Sequence, residues 1–256
     1  MSLSIIILTY NSELCIQPCL ESVLNECSSM QSEIIVVDNN SSDSTKEIIV
    51  KKFPTVKLIQ NCTNQGVAKA RNIGIQYSSG EYILILDDDV IVQNNSIKML
   101  LNFIKNNENT GVVGPQLENP DGSIQYNGLE VPTFKNKLKR VLNKLLQLHR
   151  PNKYEKQILT KEAYQPGYLI GAVQLTKRSI FNRVGLLDEK IFYGPEDADF
   201  CMRVRACNFD IVCLPIARMT HSYQRRSYQI TQLPTLFKHF KALLYFWKKH
   251  HITIFD

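Results

Sequence analysis

Residues 82–90, YILILDDDV, carry five apolar side chains in succession directly into three aspartates, Asp87, Asp88 and Asp89. Apolar residues on both alternating sides predict a strand that is buried on both faces, as in a parallel sheet covered by helices. Open α/β sheets bind ligands outside the carboxyl ends of their strands. Three carboxylates at that edge repel one another unless a cation lies among them, and oxygen ligands favour Mg²⁺ or Mn²⁺. An acidic, solvent-exposed turn is the alternative that these residues leave open.

The chain before this stretch alternates strand and helix patterns at short intervals. The other predicted strands are Leu3–Leu8, Ile34–Val37 and Val56–Ile59. Helical patterns separate them, and Ser44 and Glu47 have the spacing of a capping box at the second predicted helix. Repeated β–α units imply a mostly parallel, Rossmann-like sheet with right-handed crossovers. The polar loops that follow the strands therefore gather at one edge, which becomes the candidate site.

The second half of the chain is less regular. Its predicted elements are a strand at Val112-Val113, a turn at Pro120–Ser123, a strand at Tyr168–Leu175, a helix at Lys177–Val184, a helix that begins at Glu196, and a strand at Ile211–Leu214 followed closely by His221. Two amphipathic helices are predicted as well. One lies in a basic insert, and its apolar face contains Leu138, Val141, Leu142, Leu145 and Leu146. The other covers Leu236–Trp247, and its apolar face contains Leu236, Phe237, Phe240, Leu243, Leu244 and Trp247. Together these patterns predict an α/β fold with a basic helical insert and a C-terminal amphipathic helix.

The composition indicates the class of protein and its cellular compartment. The 256 residues contain no run approaching the ~20 apolar residues that span a membrane. The apolar opening at Leu3–Leu8 is too short for a signal peptide and lacks a basic leader. Seven cysteines form no C-x-x-C pair, so reduced thiols in a cytoplasmic protein are the simplest interpretation.

The positive charge of the chain is concentrated in the insert. Between Lys135 and Lys161 there are nine basic residues and one acid, so this segment carries a net charge of +8. Because the whole chain carries +6, the remaining residues carry a net charge of −2. One local basic surface argues against general nucleic-acid binding. A basic amphipathic helix fits the anionic inner face of the plasma membrane, while packing on the body or a homodimer interface remains open. For the C-terminal helix, packing or dimerisation is the favoured interpretation.

Five segments resemble those of family 2 glycosyltransferases with a GT-A fold. They are residues 4–11 (SIIILTYN), 33–45 (EIIVVDNNSSDST), 64–74 (NQGVAKARNIG), 86–89 (LDDD) and 194–203 (GPEDADFCMR). The segments occur in the family's order, and the chain looks closest to the rhamnosyltransferase and galactofuranosyltransferase branch. The resemblance implies a GT-A domain at 1–225 and a C-terminal helical extension at 226–256. Within the domain it implies a nucleotide-sugar-binding half at 1–115 and an acceptor and catalytic half at 116–225, with the insert at about 133–163.

The resemblance places the donor nucleotide in the first half. Asp38 is implied to accept a hydrogen bond from the imide N–H of a pyrimidine, with Thr9, Asn11 and Asn40 lining the nucleoside pocket. Thymidine- and uridine-linked donors offer the same imide edge, so both remain open. Capping of the next helix is the alternative role for Asp38 and Asn40.

Further donor contacts are implied by the segment at 64–74. Asn64 and Gly66 belong to the donor site, and Arg71 is expected to grip the diphosphate or the ribose. From the residue alone, a surface arginine is an equal interpretation. Arg225 and Arg226 are a second candidate clamp for the diphosphate, with solvent-facing charges as the alternative.

The aspartate run corresponds to the family's D-x-D motif. Asp87 and Asp89 share a face of an extended segment, so Asp89 is expected to bind the metal and Asp87 the metal, the ribose or both. Asp88 is expected to support the donor site from the other side. His221 lies where the family pattern has a histidine that completes the shell of Mn²⁺ or Mg²⁺, although a structural histidine is the commoner case.

The acidic segment that opens the predicted helix at 196 corresponds to the catalytic base of the family. Asp197 is implied to be the base and Glu196 to orient the acceptor or the structure. A plain helix start explains one or two acids there, because carboxylates favour helix N-termini. The same dipole is expected to lower the pKa of Asp197 and weaken it as a base.

The implied reaction is an inverting, metal-dependent transfer of a sugar, with rhamnose a candidate, from a nucleotide-diphospho-sugar. The acceptor is a hydroxyl of a cell-surface polysaccharide or of a lipid-linked glycan precursor. Two alternatives stay open: a nucleotidyltransferase acting on nucleotide-sugars, and a non-catalytic module that binds them.

Overall fold

The structure is a computed structural model that describes residues 2–146, 153–222 and 233–253. Its strands are β1 (Leu3–Thr9), β2 (Ser32–Asp38), β3 (Lys57–Gln60), β4 (Tyr82–Asp87), β5 (Val90–Val92), β6 (Thr110–Glu118), β7 (Ile124–Gln125), β8 (Gly128–Leu129), β9 (Tyr168–Leu169), β10 (Val173–Lys177) and β11 (Asp210–His221). Its helices are α1 (Ile16–Cys27), α2 (Thr45–Lys52), α3 (Val67–Gln76), α4 (Ser96–Asn106), α5 (Phe134–Leu145), α6 (Glu155–Thr160), α7 (Arg178–Val184), α8 (Glu196–Ala206) and α9 (Leu233–Lys249).

One large mixed sheet organises the described residues. Its strand order is β3-β2-β1-β4-β10-β6-β11-β5, with β7 paired to β6. The half from β3 to β4 is parallel, as predicted, whereas β10 runs antiparallel between β4 and β6. The predicted α/β architecture is therefore confirmed, with parallel pairing confined to β3-β2-β1-β4 and to β6 with β11.

Both faces of the central strands β1 and β4 are buried. Ile5 and Ile7 pack into a cluster with α1 and α4, while Ile6 packs into a second cluster with α3 and α8. Residues of β4 alternate in the same way, with Leu84 in the first cluster and Ile83 in the second. Burial on both faces explains why these two strands contain runs of consecutive apolar residues.

Several boundaries differ from the sequence patterns. The segment Tyr168–Leu175 forms two strands, β9 and β10, and the short strand predicted at Val112-Val113 extends over all of β6. The strand predicted at Ile211–Leu214 continues to His221, so this histidine is the last residue of β11 and not part of a loop. Alternation breaks at a register shift between Leu214 and Arg218, which hid the continuation of the strand.

The predicted capping box at α2 is wrong. Ser44 occupies the N-cap position but makes no side-chain hydrogen bond to the helix. Instead, the carboxylate of Asp43 accepts hydrogen bonds from the backbone N–H of Thr45 at 3.1 Å and from its hydroxyl at 2.6 Å. The residue before the N-cap therefore holds this helix start.

The C-terminal helix packs on the body, as favoured from the sequence. Leu243 and Phe246 of α9 are buried in the same cluster as Ile6 and Phe200. The predicted apolar face is partly wrong, however, because Phe237, Phe240 and Leu244 are exposed. Among the residues that the structure describes, no helix has the length and apolar character to cross a membrane.

Candidate active site

The carboxyl ends of three parallel strands meet at one edge of the sheet. Thr9 of β1 is paired in register with Asp38 of β2, and Leu8 is paired with Asp87 of β4. Three of the predicted site residues are thus brought together by strand pairing alone. The edge lies where parallel α/β sheets bind ligands.

Asp87, Asp89 and His221 form a candidate metal site. One ligand atom from each lies within 4.8 Å of those of the other two. His221 Nε2 is 3.1 Å from Asp89 Oδ1, and antiparallel pairing of β11 with β5 places His221 opposite Val90. Two carboxylates and an imidazole are suitable ligands for a hard or borderline divalent cation. The three side chains predicted as ligands therefore converge.

Gln125, which the sequence patterns did not single out, orients the histidine of this site. Its Oε1 lies 2.6 Å from His221 Nδ1, so Nδ1–H donates to the amide oxygen and Nε2 is left as the atom that faces the carboxylates. Fixing a ligating imidazole through its other nitrogen is typical of metal sites. Burial lowers the pKa of His221, but the hydrogen bond and charge of Asp89 outweigh it and hold that pKa above its ordinary value.

Arg71 is a buried link between the metal site and α8. Its guanidinium lies 2.6 Å from Asp87 and 3.1 Å from Glu196, and it also donates to the carbonyl oxygen of Gly171 at 2.8 Å. Only 5% of the arginine side chain is exposed. The alternative of a surface arginine is wrong, and direct contact of Arg71 with the diphosphate or the ribose stays a prediction. In this structure the guanidinium positions two carboxylates.

Gly171 is the second residue that the sequence patterns missed. Its backbone N–H donates to Asp197 Oδ2 at 3.0 Å, while its carbonyl accepts from Arg71. A Cβ atom at this position would collide with the guanidinium of Arg71. A side chain at this position would push the guanidinium away from its present place, and no motif within the chain signals that constraint.

Burial raises the pKa of both acids at the start of α8. For Glu196 the neighbouring charge of Asp197 adds to the effect, and Arg71 opposes it. For Asp197, burial outweighs the backbone hydrogen bonds from Ala198 and Gly171 and the charges of Arg71 and Lys137. The expectation that the helix N-terminus lowers the pKa of Asp197 is therefore wrong, since desolvation dominates.

Asp88 has surroundings different from those of its two neighbours. Burial raises its pKa to about 7, the hydroxyls of Ser12 and Thr9 lower it, and the flanking aspartates add to the increase. The hydroxyls that act on Asp88 thus lie at the end of β1 and in the loop before α1. Support of the donor edge from the other side, as predicted, is compatible with this position.

The end of β2 holds the residue predicted to bind the base. Asp38 is buried, and its carboxylate accepts from the N–H and the hydroxyl of Ser41. The alternative role of Asp38 and Asn40 as helix caps is wrong, because Ser44 occupies the N-cap of α2. Asn11 ties the β1 loop to this one, since its Oδ1 accepts from the N–H of Ser42 at 2.8 Å.

Asn64 and Gly66 shape the loop before α3. Asn64 Oδ1 accepts from Asn39 at 3.0 Å and from the N–H of Gly66 at 3.0 Å. Gly66 has a φ of 80°, and a Cβ there would lie 2.6 Å from the carbonyl oxygen of Phe192. Both residues therefore have structural roles, and their contact with a donor stays a prediction. Arg225 and Arg226 lie outside the described residues.

Comparison with known sequences identifies the family. A profile described as glycosyl transferase family 2 matches residues 4–185, more than two thirds of the chain. The chain belongs to glycosyl transferase family 2. The match ends before Asp197 and His221, so the family assignment does not itself identify those two residues.

Two curated relatives are rhamnosyltransferases. The dTDP-rhamnosyl transferase RfbF of Shigella flexneri is 27% identical over 231 residues, which cover 88% of this chain and 70% of that protein. The N-acetylglucosaminyl-diphospho-decaprenol L-rhamnosyltransferase of Mycobacterium tuberculosis is 26% identical over 204 residues, 73% of this chain and 66% of that protein. These similarities support the rhamnosyltransferase-like branch predicted from the motifs. The chain spans about two thirds of the length of these relatives.

Solved structures confirm the GT-A fold. GalNAc-T7 with UDP, GalNAc and Mn²⁺ superposes with a TM-score of 0.70 at 19% identity, covering 96% of this chain and 50% of that one. The mannosyltransferase PcManGT of Pyrobaculum calidifontis, in complex with GDP-Man and Mn²⁺, gives a TM-score of 0.66 at 16% identity, with 95% and 64% covered. At these identities the likeness concerns the fold.

Proposed function

We propose that this glycosyltransferase moves a sugar from a nucleotide-diphospho-sugar to an acceptor hydroxyl with inversion at the anomeric carbon. The observation that carries this proposal is the continuous contact from Asp87 through Arg71 to Glu196. Asp197 is the next residue of α8, and Gly171 forms hydrogen bonds with both Asp197 and Arg71, which supports a role for Asp197 at the same edge as Asp87.

The donor nucleoside binds at the ends of β1 and β2. Asp38 accepts the imide N–H of a thymine or uracil, with Thr9, Asn11 and Asn40 around it. Thr9 is the last residue of β1 and is paired in register with Asp38, so both residues lie at the same edge of the sheet. Similarity to the two rhamnosyltransferases favours rhamnose as the sugar, and the name of RfbF favours dTDP as its carrier.

A divalent cation, Mn²⁺ or Mg²⁺, is held by Asp87, Asp89 and His221. When bound, it supplies neutralisation of the charge that develops on the leaving diphosphate. Mn²⁺ accompanies the nucleotide in both solved structures named above, and the imidazole suits it at least as well as Mg²⁺. Gln125 contributes by holding the imidazole with Nε2 toward the carboxylates.

Asp197 is the general base. Its carboxylate accepts the proton of the acceptor hydroxyl while that oxygen attacks the anomeric carbon on the side opposite the leaving diphosphate. Burial raises the pKa of Asp197 toward neutral pH, so its carboxylate is a better proton acceptor than that of an ordinary aspartate. Gly171 and Arg71 hold its surroundings in place, and Glu196 orients the helix start. The acceptor is a hydroxyl of a surface polysaccharide or a lipid-linked glycan precursor.

A donor panel with matched variants tests the proposal. Transfer and slow donor hydrolysis are measured with dTDP-rhamnose, UDP-linked and GDP-linked sugars, each with Mn²⁺ or Mg²⁺. Asp197→Asn should leave donor binding nearly intact and lower transfer by orders of magnitude. Asp210→Asn, at the opposite end of β11 from His221, is the matched control and should keep normal transfer. Normal transfer by Asp197→Asn would show that the assigned base is wrong.

A further inference from the structure

Two helices of this chain carry an exposed apolar row beside basic side chains. On α5 the row is Phe134, Leu138 and Leu142, continued by Leu146 just beyond the helix, at a spacing of four residues. On α9 the row is Phe237, Phe240 and Leu244, at spacings of three and four residues. The leucines of the first row and the three residues of the second are between 46% and 63% exposed. Each row lies on one side of its helix, as the α-helical repeat requires.

The two helices meet each other at the catalytic end of the molecule. The ring of Phe134 packs edge-on against Trp247 with 5.8 Å between centroids, and Trp247 Nε1 donates to the carbonyl of Pro132 at 2.7 Å. Lys137 of α5 is near enough to Asp197 to lower its pKa. His239 of α9 lies 3.3 Å from the carbonyl of Tyr193, just before α8. Both helices therefore reach the end of the molecule that holds the start of α8.

The charges on these helices select the partner. The sequence of α5 contains five basic residues and no acid, and that of α9 contains four lysines and no acid. Of these, Lys249 is engaged with Asp188 and Asp199. A second copy of the chain would bring equally basic helices together and create like-charge repulsion. An anionic surface has the complementary charge.

We propose that α5 and α9 dock this protein on an anionic lipid bilayer, with the apolar rows inserted among the acyl chains and the lysines at the headgroups. Lys135 and Lys139 follow Phe134 and Leu138 by one residue, so they flank the row about 100° around the helix. On α9, the ammonium of Lys241 lies 4.5 Å from the ring centroid of Phe237. Apolar side chains bordered by lysines are typical of interfacial helices.

This orientation has a consequence for the substrate class. Docking through α5 and α9 would bring the Asp197 side of the site to the bilayer surface, where the sugar of a lipid-linked acceptor is presented. The docking itself does not rest on the proposed reaction, since it depends on side chains outside the metal and donor sites. The vesicle-binding test can therefore fail while the catalytic test succeeds, and the reverse.

Vesicle flotation of the full chain tests the proposal. The protein should float with vesicles of phosphatidylcholine mixed with phosphatidylglycerol, and stay behind with phosphatidylcholine alone. Added salt should weaken the binding, because basic residues at an anionic surface are screened. The variant Lys135→Gln/Lys139→Gln should bind about 25-fold more weakly, from about fivefold for each lysine near the surface. Its matched control, Lys98→Gln/Lys105→Gln on α4, should bind as the parent does.

The apolar rows are tested in the same way. Leu138→Ser/Leu142→Ser should lose flotation, whereas Val50→Ser/Leu159→Ser, which changes exposed apolar residues elsewhere, should not. Circular dichroism and dTDP-sugar hydrolysis establish that each variant is folded and active in solution.

Failure of the parent to float with anionic vesicles would overturn the proposal, and so would equal loss in the control variants. If light scattering shows a dimer that Leu138→Ser/Leu142→Ser dissociates, while the parent binds no vesicle, the occupant is a second copy and the lipid proposal is wrong.

Discussion

Replacement of Arg71 by methionine should destabilise the protein strongly, because the guanidinium neutralises two carboxylates in a buried place. It lies 2.6 Å from Asp87 and 3.1 Å from Glu196, whose side chains are 32% and 7% exposed. Removing one member of a buried ion pair costs about 3–5 kcal/mol, since the remaining charge is left without compensation. The carbonyl of Gly171 also loses its donor, at a cost of about 1 kcal/mol or more.

The loss should depend on pH with a definite sign. Burial already raises the pKa of Glu196, and Arg71 is the group that opposes this increase. Without the arginine the folded-state pKa rises further above the unfolded value. The stability associated with a raised pKa is present at low pH and lost as pH rises through the folded value. The difference between parent and Arg71→Met should therefore be smaller at pH 5 than at pH 8.

Urea unfolding measures the free energy that the Arg71→Met variant loses. EDTA is present so that no bound metal ion replaces the lost positive charge beside Asp87. We expect Arg71→Met to lose about 3 kcal/mol or more at neutral pH. The matched control is Arg218→Met, which breaks an ion pair to Glu118 of the same 2.6 Å length but with an arginine side chain that is 42% exposed. That loss should be about 0–1 kcal/mol. Adding Glu196→Gln to Arg71→Met should recover part of the loss.

Equal losses in the Arg71 and Arg218 variants would refute this reasoning. So would a loss at Arg71 that is larger at pH 5 than at pH 8, because the sign then contradicts a buried acid with a raised pKa.

Three further predictions concern other parts of the site. Lys137→Gln should move the acid limb of the pH profile of kcat/KM to higher pH, because Lys137 lowers the pKa of Asp197 and the protonated base cannot accept a proton; an unmoved limb would contradict this contact. Gln125→Leu should weaken Mn²⁺ binding about 10–100-fold in calorimetry, since it frees the histidine of the metal site from its 2.6 Å partner, whereas unchanged affinity would remove the orienting role. Asp199→Asn should destabilise the protein by about 3 kcal/mol, because this fully buried carboxylate pairs with Arg203 of α8 and with Lys249 and His250 at the end of α9. The fluorescence of Trp247, the single tryptophan, reports release of α9. An unchanged free energy of unfolding would refute the role of Asp199 in holding the two helices together.

Local patterns predicted the half of the molecule that follows simple rules. The strands at 3–8, 34–37 and 82–86 were recognisable because each is buried on both faces and ends in polar residues. Parallel pairing then brings Thr9, Asp38 and Asp87 to one edge, as expected from β–α repetition. The family motifs added Asp197 and His221, although the family match itself stops at residue 185.

Contacts between distant segments were not predictable in the same way. The sequence led us to expect a contact of Arg71 with the donor, but it did not predict the ion pair of Arg71 with Glu196, which lies 125 residues further along the chain. Gln125 and Gly171 carry no signal in their neighbourhoods, since their roles depend on what β11 and α3 place opposite them. The helix dipole was expected to lower the pKa of Asp197, but burial raises it. Burial is a property of the packed site and could not be inferred from the local sequence.

The sequence by itself determined the α/β class, the edge that carries the site and the acids that line it, because those features follow from strand burial and from short motifs. Only the tertiary structure decided how the acids are used. Pairing of β11 with β5 delivers His221 to Asp89, and the packing of α3 against the edge makes Arg71 a bridge to α8. Hydrogen bonds and charges act over a few ångströms in space, whatever the distance along the chain. The triple aspartate could therefore be found from the sequence, but the separate environments of its three members could not.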